Sequence, residues 1–174
     1  MSMKDILIVI DMQKDFIDGS LGTKEAEAIV DNVKKKVDEY IEAGHTVFFT
    51  RDTHFENYLD TFEGKHLPVV HCVKNTDGWA ISDKLNVSSE KVRVVNKLTF
   101  GYVGWDEWLE MKKAKDYEIC GLCTDICVIS NALILRALYP DKCIEVDSKC
   151  CAGVTPELHE AALKVMTSNQ IDII

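Results

Sequence analysis

The sequence has little positive charge and no long apolar run. Lys and Arg number 20 against 29 Asp and Glu, which gives a net charge of −9. Nucleic-acid binding needs clustered Lys and Arg, so no nucleic-acid partner is expected. No apolar run approaches the roughly 20 residues that span a bilayer, and the start of the chain has no signal-peptide pattern. We therefore expect a cytoplasmic protein with no membrane partner.

The cysteines do not form the even set that a secreted disulfide scaffold would carry. There are seven of them, scattered from Cys72 to Cys151. Disulfide-stabilised domains are usually shorter and evenly paired. We expect free thiols in a reducing compartment, and one of them is a candidate for reactivity. The 174 residues fit one domain, 1–174, with a single hydrophobic core.

Short apolar runs alternate with longer amphipathic stretches. Continuous apolar runs of strand length are typical of a sheet whose two faces are both covered by helices. Alternation of this kind predicts a three-layer α/β/α fold with a mostly parallel central sheet of about six strands. The predicted strands are 6–10, 46–50, 92–95, 117–122, 143–146 and 171–174, and the predicted helices are 24–43, 103–114, 126–138 and 156–167.

One long polar segment, 52–90, does not follow this alternation. It holds three of the five histidines, His54, His66 and His71. Long loops inside a compact domain are usually functional or disordered. This segment is therefore a candidate ligand-binding loop.

Reactive side chains follow several of the predicted strands. Ligands of open parallel sheets bind beyond the carboxyl ends of the strands, so residues at these ends are expected to meet at one edge. An acid, a lysine and a cysteine converge there. The residues are Asp11 after the first strand, Arg51 and Asp52 after the second, Asn96 and Lys97 after the third, and the segment 121–127 after the fourth.

Cys127 is the candidate nucleophile of that edge. The run Gly-Leu-Cys-Thr-Asp-Ile-Cys from Gly121 passes from a strand into a helix, and Thr124 or Asp125 is a natural N-cap. A thiol in the first helical turn has its thiolate favoured by the helix dipole, and the free N–H groups of that turn can hold an oxyanion. The alternative is a buried structural cysteine.

Asp11 and Lys97 each have a functional and an ordinary interpretation. Asp11 is either a general base for the thiol or a turn residue after its strand. Lys97 either stabilises a thiolate and a developing oxyanion or is a solvated surface lysine.

These residues together resemble a known family, the isochorismatase-like cysteine hydrolases. The similarity rests on the run Asp-Met-Gln-Lys-Asp-Phe at 11–16, on Lys97, and on the run Gly-Leu-Cys-Thr-Asp-Ile-Cys at 121–127. The resemblance implies a parallel sheet with helices on both faces and a catalytic triad of Asp11, Lys97 and Cys127. It also implies a non-proline cis peptide before Cys123, an oxyanion hole formed by the N–H groups of Cys123 and Cys127, substrate-ring contacts from Phe16 and Phe100, and a homo-oligomer.

A further signature is similar to the metal-dependent nicotinamidase branch of that family. Asp52-Thr-His54 matches its D-x-H start, and His71-Cys72 matches its end. The third ligand is Glu63, nine residues after His54, with Asp60 as the rival six residues after it. Two imidazoles and two carboxylates suit a divalent ion, zinc first, with iron and manganese as alternatives.

The expected function is hydrolysis of a small-molecule amide, nicotinamide first, through a thioester on Cys127. The alternatives are a metal-independent amide or ureido hydrolase on the same triad, and a non-catalytic relative that binds a small ligand. A thiol redox protein that uses Cys120 and Cys123 is a third alternative. Cys150 and Cys151 form a vicinal pair that we expect to be reduced.

Overall fold

The computed structural model describes residues 3–174, and its centre is a six-stranded sheet. Every neighbouring pair of strands is parallel, in the order β3-β2-β1-β4-β5-β6. The predicted fold class is thus confirmed. The strands are β1 (Ile6–Ile10), β2 (Thr46–Asp52), β3 (Val92–Lys97), β4 (Asp116–Leu122), β5 (Cys143–Ala152) and β6 (Asp172–Ile173).

Helices cover both faces of this sheet. The connection from β1 to β2 and the connection from β4 to β5 run in opposite directions across the sheet, so right-handed crossovers put their helices on opposite faces. Among residues 3–174, none of the helices has the length and apolarity that crossing a bilayer requires. The helices are α1 (Lys14–Ile17), α2 (Lys24–Glu42), α3 (Phe62–His66), α4 (Leu109–Lys113), α5 (Ile129–Leu138) and α6 (Pro156–Ser168).

The central strand and the longest helix show how the sequence produces these layers. All five residues of β1 are apolar and buried, because the strand has a neighbour on each side and a helical layer above and below. In α2, buried residues recur at helical spacing from Ala26 to Tyr40, and Thr23 caps the first turn by accepting the N–H of Ala26. Gly44, with φ of +83°, follows the end of this helix.

The predicted helix 103–114 is wrong. A 3₁₀ turn (Trp105–Glu107) and the short helix α4 replace it, separated by Trp108 in an extended conformation. The Trp105 indole is fully buried and donates a hydrogen bond to Asn131 Oδ1 at 3.0 Å. The Trp108 ring packs edge-on against Phe48, with centroids 5.1 Å apart. Packing of two large rings against the sheet therefore outweighs the local helical spacing.

Three strands extend beyond their predicted ends. β2 continues to Asp52 and β3 to Lys97, and these two residues are paired in register. β5 continues to Ala152, so Cys150 and Cys151 are strand residues. Because β2 and β3 are longer than predicted, Asp52, the first residue of the polar segment, lies beside Lys97 at the carboxyl edge of the sheet.

The polar segment 52–90 is ordered by short elements and bridges. It contains a 3₁₀ turn (Tyr58–Asp60) followed by α3. Isolated bridges join His54 to Val73 and Gln13 to Ile81. The first bridge joins two parts of the segment, and the second ties the segment to the chain that follows β1.

Candidate active site

The site lies where β1 and β4 end, at the point where the strand order changes direction. Open α/β sheets bind ligands at such switch points. Gly121 allows the two strands to approach closely, since a Cβ there would lie 2.1 Å from the carbonyl oxygen of Ile10, and its φ is +118°. Asp11, directly after β1, has φ of +46°, a left-handed conformation that is uncommon outside glycine and is found at functional sites.

Asp11 is fully buried and held from two sides. Its Oδ1 accepts a hydrogen bond from Thr50 Oγ1 at 2.6 Å, and its own N–H donates to the same hydroxyl at 3.0 Å. Its Oδ2 lies 2.6 Å from Lys97 Nζ as an ion pair but receives no well-directed hydrogen bond. Burial raises the pKa of Asp11, although the charge of Lys97 opposes this. The carboxylate therefore keeps one oxygen that can accept a proton.

Lys97 is the charged centre of the site. Its ammonium is buried and contacts Asp11, Asp52 Oδ1 at 3.1 Å, the Thr99 carbonyl at 3.2 Å and Cys127 Sγ at 3.4 Å. Burial lowers the pKa of Lys97, but the charges of Asp11 and Asp52 outweigh it and raise the pKa well above its ordinary value. The side chain is thus a protonated lysine within contact distance of the thiol. It is not the solvated surface lysine of the alternative interpretation.

Cys127 lies in a wide π-type turn (Thr124–Val128) that precedes α5, not in the first turn of a regular α-helix. The Val128 N–H donates to the Cys123 carbonyl, five residues earlier, at 3.0 Å. The peptide bond between Leu122 and Cys123 is cis, as the family resemblance implies.

The predicted N-cap of this turn is wrong. Thr124 Oγ1 instead pairs with His159 Nδ1 of α6 at 2.8 Å. Asp125 Oδ1 accepts the N–H of Val154 at 2.9 Å. Both side chains therefore bind the chain around the start of α6 and leave the first N–H groups of the turn uncapped by a side chain.

The thiol of Cys127 is not ionised by its position in the turn. Burial and the charge of Asp11 raise the pKa of Cys127 well above its ordinary value, although Lys97 opposes them. The surroundings of the sulfur therefore favour the neutral thiol, with burial as the largest cause and the charges of Asp11 and Asp52 adding to it. The expected contribution of the helix dipole stays a prediction. A neutral thiol beside a carboxylate and an ammonium needs its proton removed before it can attack.

A second cluster lies beside the first and has the donor set of a metal site. It consists of Asp52, His54, Glu63 and His71. His54 Nε2 lies 3.0 Å from Asp52 Oδ2 and 3.5 Å from Glu63 Oε1, and His71 Nε2 lies 3.8 Å from both oxygens. Ligand bonds of about 2.1 Å place neighbouring donor atoms roughly 3.0–3.5 Å apart. The two His54 distances fall in this range, and His71 Nε2 lies slightly farther out, so a small inward shift of His71 completes the spacing for one divalent ion.

The two imidazoles are arranged for ligation. His71 Nδ1 lies 2.7 Å from the Val69 carbonyl, which fixes the proton on Nδ1 and leaves the lone pair of Nε2 toward the cluster. His54 Nε2 is buried and makes no well-directed hydrogen bond, although Asp52 Oδ2 lies 3.0 Å away. A buried nitrogen whose hydrogen-bonding capacity is unused fits the role of a cation ligand. Glu63 belongs to the cluster, whereas Asp60 is exposed and lies outside it.

Phe16 and Tyr58 pack against the histidines of the second cluster. The Phe16 ring lies 5.5 Å from that of His71, so Phe16 is beside the cluster, as expected. Phe100 is 45% exposed on the loop after β3, and its carbonyl accepts a hydrogen bond from Asn131. Tyr58, which the sequence did not single out, is fully buried and packs against both histidines at 4.6 and 5.0 Å.

Gln13 is a further residue to which sequence reasoning gave no role. Its Oε1 accepts the N–H of Asp52 at 2.7 Å, and its Nε2 donates to the carbonyls of Asp52 and Trp79, both at 2.9 Å. The amide is fully buried. The signal available in the sequence was its position two residues after Asp11. Gln13 fixes the backbone that carries the first ligand of the second cluster.

All seven cysteines are free thiols. Cys120 is fully buried in β4, and Cys123 is half-buried at the start of the π-type turn. Cys150 and Cys151 are both buried in β5. Cys120 and Cys123 are the residues of the redox alternative, and Cys150 and Cys151 are the vicinal pair.

A family profile that spans nearly the whole chain adds to these local features. The profile described as the isochorismatase domain matches residues 5–174. The chain belongs to the isochorismatase family. A nicotinamidase from Schizosaccharomyces pombe is 27% identical over 211 residues, which cover 100% of this chain and 94% of that protein.

Two solved structures from this family extend the likeness to three dimensions. A nicotinamidase from Bacillus subtilis has a TM-score of 0.85 and 26% identity, over 98% of this chain and 99% of that chain. A pyrazinamidase from Pyrococcus horikoshii, solved in complex with zinc, has a TM-score of 0.78 and 28% identity, over 97% of each chain. Within the isochorismatase family the chain thus lies with the nicotinamidase branch.

Proposed function

We propose that the protein is an amide hydrolase that uses Cys127 as nucleophile and converts nicotinamide to nicotinate and ammonia. One observation carries the proposal: Lys97 Nζ contacts the carboxylate of Asp11 and the sulfur of Cys127 at 2.6 and 3.4 Å, in a buried site. Nucleophilic acyl transfer needs a thiol, a base and a cation close together, and here one ammonium contacts both the thiol and the carboxylate. The names of the relatives support an amide as substrate.

The first step is proton transfer from Cys127 to Asp11. Burial raises the pKa of Asp11, which makes this carboxylate a better proton acceptor than an exposed aspartate. Thr50 holds the other carboxylate oxygen, so the accepting oxygen has a fixed direction. The thiolate then forms a C–S bond to the amide carbon, and the electron pair of the C=O bond moves to the oxygen.

The negative oxygen of this intermediate is stabilised by the backbone N–H groups of Cys123 and Cys127 and by the charge of Lys97. As the intermediate collapses, the C–N bond breaks and the nitrogen takes the proton from Asp11, so ammonia leaves. A thioester on Cys127 remains. Asp11 then takes a proton from water, whose oxygen attacks the thioester. As the C–S bond breaks and the acid leaves, Asp11 returns this proton to the sulfur, which regenerates the thiol and the carboxylate.

The second cluster fits a role in substrate binding. Asp52, His54, Glu63 and His71 would hold a divalent ion, with zinc the first choice and iron or manganese as alternatives. When bound, such an ion supplies a Lewis acid for a ring nitrogen and orders water. Phe16, beside His71, and Phe100, on the loop after Lys97, would contact the faces of a flat ring.

The test is ammonia release from nicotinamide by the purified chain. We expect release that stops after chelation and returns when zinc, iron or manganese is added back. Benzamide, which lacks the ring nitrogen, is the matched substrate and should be hydrolysed far less. Release that is unchanged by chelation would favour the metal-independent alternative. No release from any amide, with every metal tested, would contradict the proposed hydrolase and favour a ligand-binding relative.

A further inference from the structure

Asp15 lies outside both clusters, yet its carboxylate reaches the chain beside a proposed metal ligand. Its Oδ2 accepts the N–H of Cys72 at 2.7 Å. Cys72 directly follows His71 and is a non-glycine residue with φ of +46°. Asp15 and Cys72 are 57 residues apart in the chain. A long-range bond of this kind fixes a backbone turn that the local sequence does not favour.

The Cys72 backbone also joins the two histidine segments. Its carbonyl accepts the N–H of His54 at 2.9 Å, and the His54 carbonyl in turn accepts the N–H of Lys74 at 2.9 Å. The N–H of Cys72 is the one that Asp15 accepts. Cys72 is therefore held between the segment that carries His54 and the side chain of Asp15.

The carboxylate of Asp15 is itself held in place. The Asp15 N–H donates to the Gly78 carbonyl at 3.0 Å. A Cβ at Gly78 would lie 2.2 Å from the carboxylate, and a Cβ at Gly19 would lie 2.6 Å from it. Two glycines thus leave just enough space for this side chain, so it can act as a fixed acceptor and not as a mobile surface carboxylate.

We propose that Asp15 is a positioning residue for the metal: it holds Cys72 in the left-handed conformation that directs His71 Nε2 into the cluster of Asp52, His54 and Glu63. Asp15 does not ligate the ion. The inference rests on the metal site of the proposed function. Groups that orient ligands typically change metal affinity roughly 10- to 100-fold when they are removed.

The test measures the zinc affinity of the whole chain by competition with a chromophoric chelator. Asp15→Ala removes the acceptor, and we expect zinc binding to weaken by roughly 10- to 100-fold. Asp15→Asn keeps an oxygen that can accept the Cys72 N–H, so its affinity should stay close to that of the wild type. Asp18→Ala removes an exposed carboxylate three residues further on and is the matched control, with no expected change.

A visible spectrum with cobalt in place of zinc separates positioning from general stability. Displacement of His71 changes the ligand field, so Asp15→Ala should shift the cobalt absorption bands while Asp15→Asn and Asp18→Ala do not. If Asp15→Ala does not fold, as judged by circular dichroism, Asp15→Ser keeps a small polar side chain too short to reach Cys72 and takes its place.

The outcomes distinguish this inference from the function on which it rests. Wild-type protein that binds zinc, together with an Asp15→Ala variant of unchanged affinity and cobalt spectrum, would overturn the role of Asp15 alone. Wild-type protein that binds no zinc would overturn both the metal site and the role of Asp15. Weaker binding by Asp15→Ala with rescue by Asp15→Asn supports the inference.

Discussion

Asp52 and Lys97 are register partners at the ends of β2 and β3, and Asp52 connects the two clusters of the site. Its Oδ1 lies 3.1 Å from Lys97 Nζ, and its Oδ2 lies 3.0 Å from His54 Nε2. One carboxylate therefore contacts both the proposed catalytic lysine and a proposed metal ligand. Glu63, by contrast, has ion-pair contacts with the two histidines but not with Lys97.

This difference predicts different effects for substitutions at Asp52 and at Glu63. Asp52→Asn removes charge from both clusters, whereas Glu63→Gln removes it from the metal cluster alone. Each change removes a charged ligand and should weaken zinc binding by more than the roughly 10- to 100-fold that the loss of a group orienting a ligand costs. At zinc concentrations that saturate both variants, Asp52→Asn should keep a lower kcat than Glu63→Gln, because Lys97 has lost a partner. Equal kcat values under saturation would contradict a link through Asp52.

Asp11→Asn should separate ionisation of the nucleophile from turnover. Burial is the largest cause of the raised pKa of Cys127, and the charge of Asp11 is the second. Replacing Asp11 by asparagine therefore lowers the pKa of Cys127 while Lys97 remains. Labelling of Cys127 by iodoacetamide, followed by mass spectrometry, should then have its midpoint at lower pH than in the wild type. Turnover should nevertheless fall by roughly 10²- to 10⁴-fold, because the group that returns a proton to ammonia is gone. A labelling midpoint that stays or moves upward would contradict the assigned charges.

Thr50→Val tests whether the direction of the Asp11 carboxylate matters. Valine has nearly the shape of threonine but neither donates to Asp11 Oδ1 nor accepts the Asp11 N–H. A misdirected base should lower kcat by roughly 10- to 100-fold. Thr46→Val, at the other end of β2, is the control and should leave kcat unchanged. The prediction fails if both variants have wild-type kcat.

Acid should weaken a salt-bridge network between α2 and the strands β4 and β5. Lys36 Nζ lies 2.8 Å from Asp147 Oδ2 and also contacts Glu118. Burial raises the pKa of Asp147, but the hydrogen bond and charge of Lys36 outweigh it, so the pKa is lowered on folding. A lowered pKa in the folded state adds stability above the ordinary aspartate pKa of about 4, and this stability disappears as the pH falls through the lowered value.

Asp147→Asn isolates that contribution. The difference in unfolding free energy between wild type and variant, from urea titrations, should be constant at neutral pH and shrink at pH values below about 4. The difference shrinks because protonation of Asp147 in the wild type removes the negative charge that the variant lacks at every pH. A difference that grows on acidification would contradict the assignment.

The sheet and much of the site could be predicted from the sequence because they depend on local patterns. Continuous apolar runs mark strands that are covered on both faces, as in β1. Asp11 and Lys97 stand directly beyond or at the ends of such runs, so topology alone brings them to one edge. The family resemblance favoured Glu63 over Asp60 as the third ligand, and the structure places Glu63 and not Asp60 beside the histidines.

The rest depends on contacts between distant parts of the chain. The break at Trp108 arises from ring packing against Phe48, which helical spacing does not encode. The direction of the Cys127 pKa depends on burial and on Asp11, which is 116 positions away in the chain. Gln13 and Asp15 act on the backbone of Asp52 and Cys72, and nothing in a local motif specifies those partners.

Ammonia release by Cys127→Ala is the most direct test of the central claim. The variant should bind zinc with wild-type affinity, because Cys127 is not among the proposed ligands, and should release no ammonia from nicotinamide above background. Cys143→Ala, which removes a half-buried thiol at the start of β5, is the control and should have wild-type activity. Loss of activity in Cys127→Ala alone is the predicted result. Ammonia release by a folded, zinc-bound Cys127→Ala at a rate near that of the wild type would contradict the account.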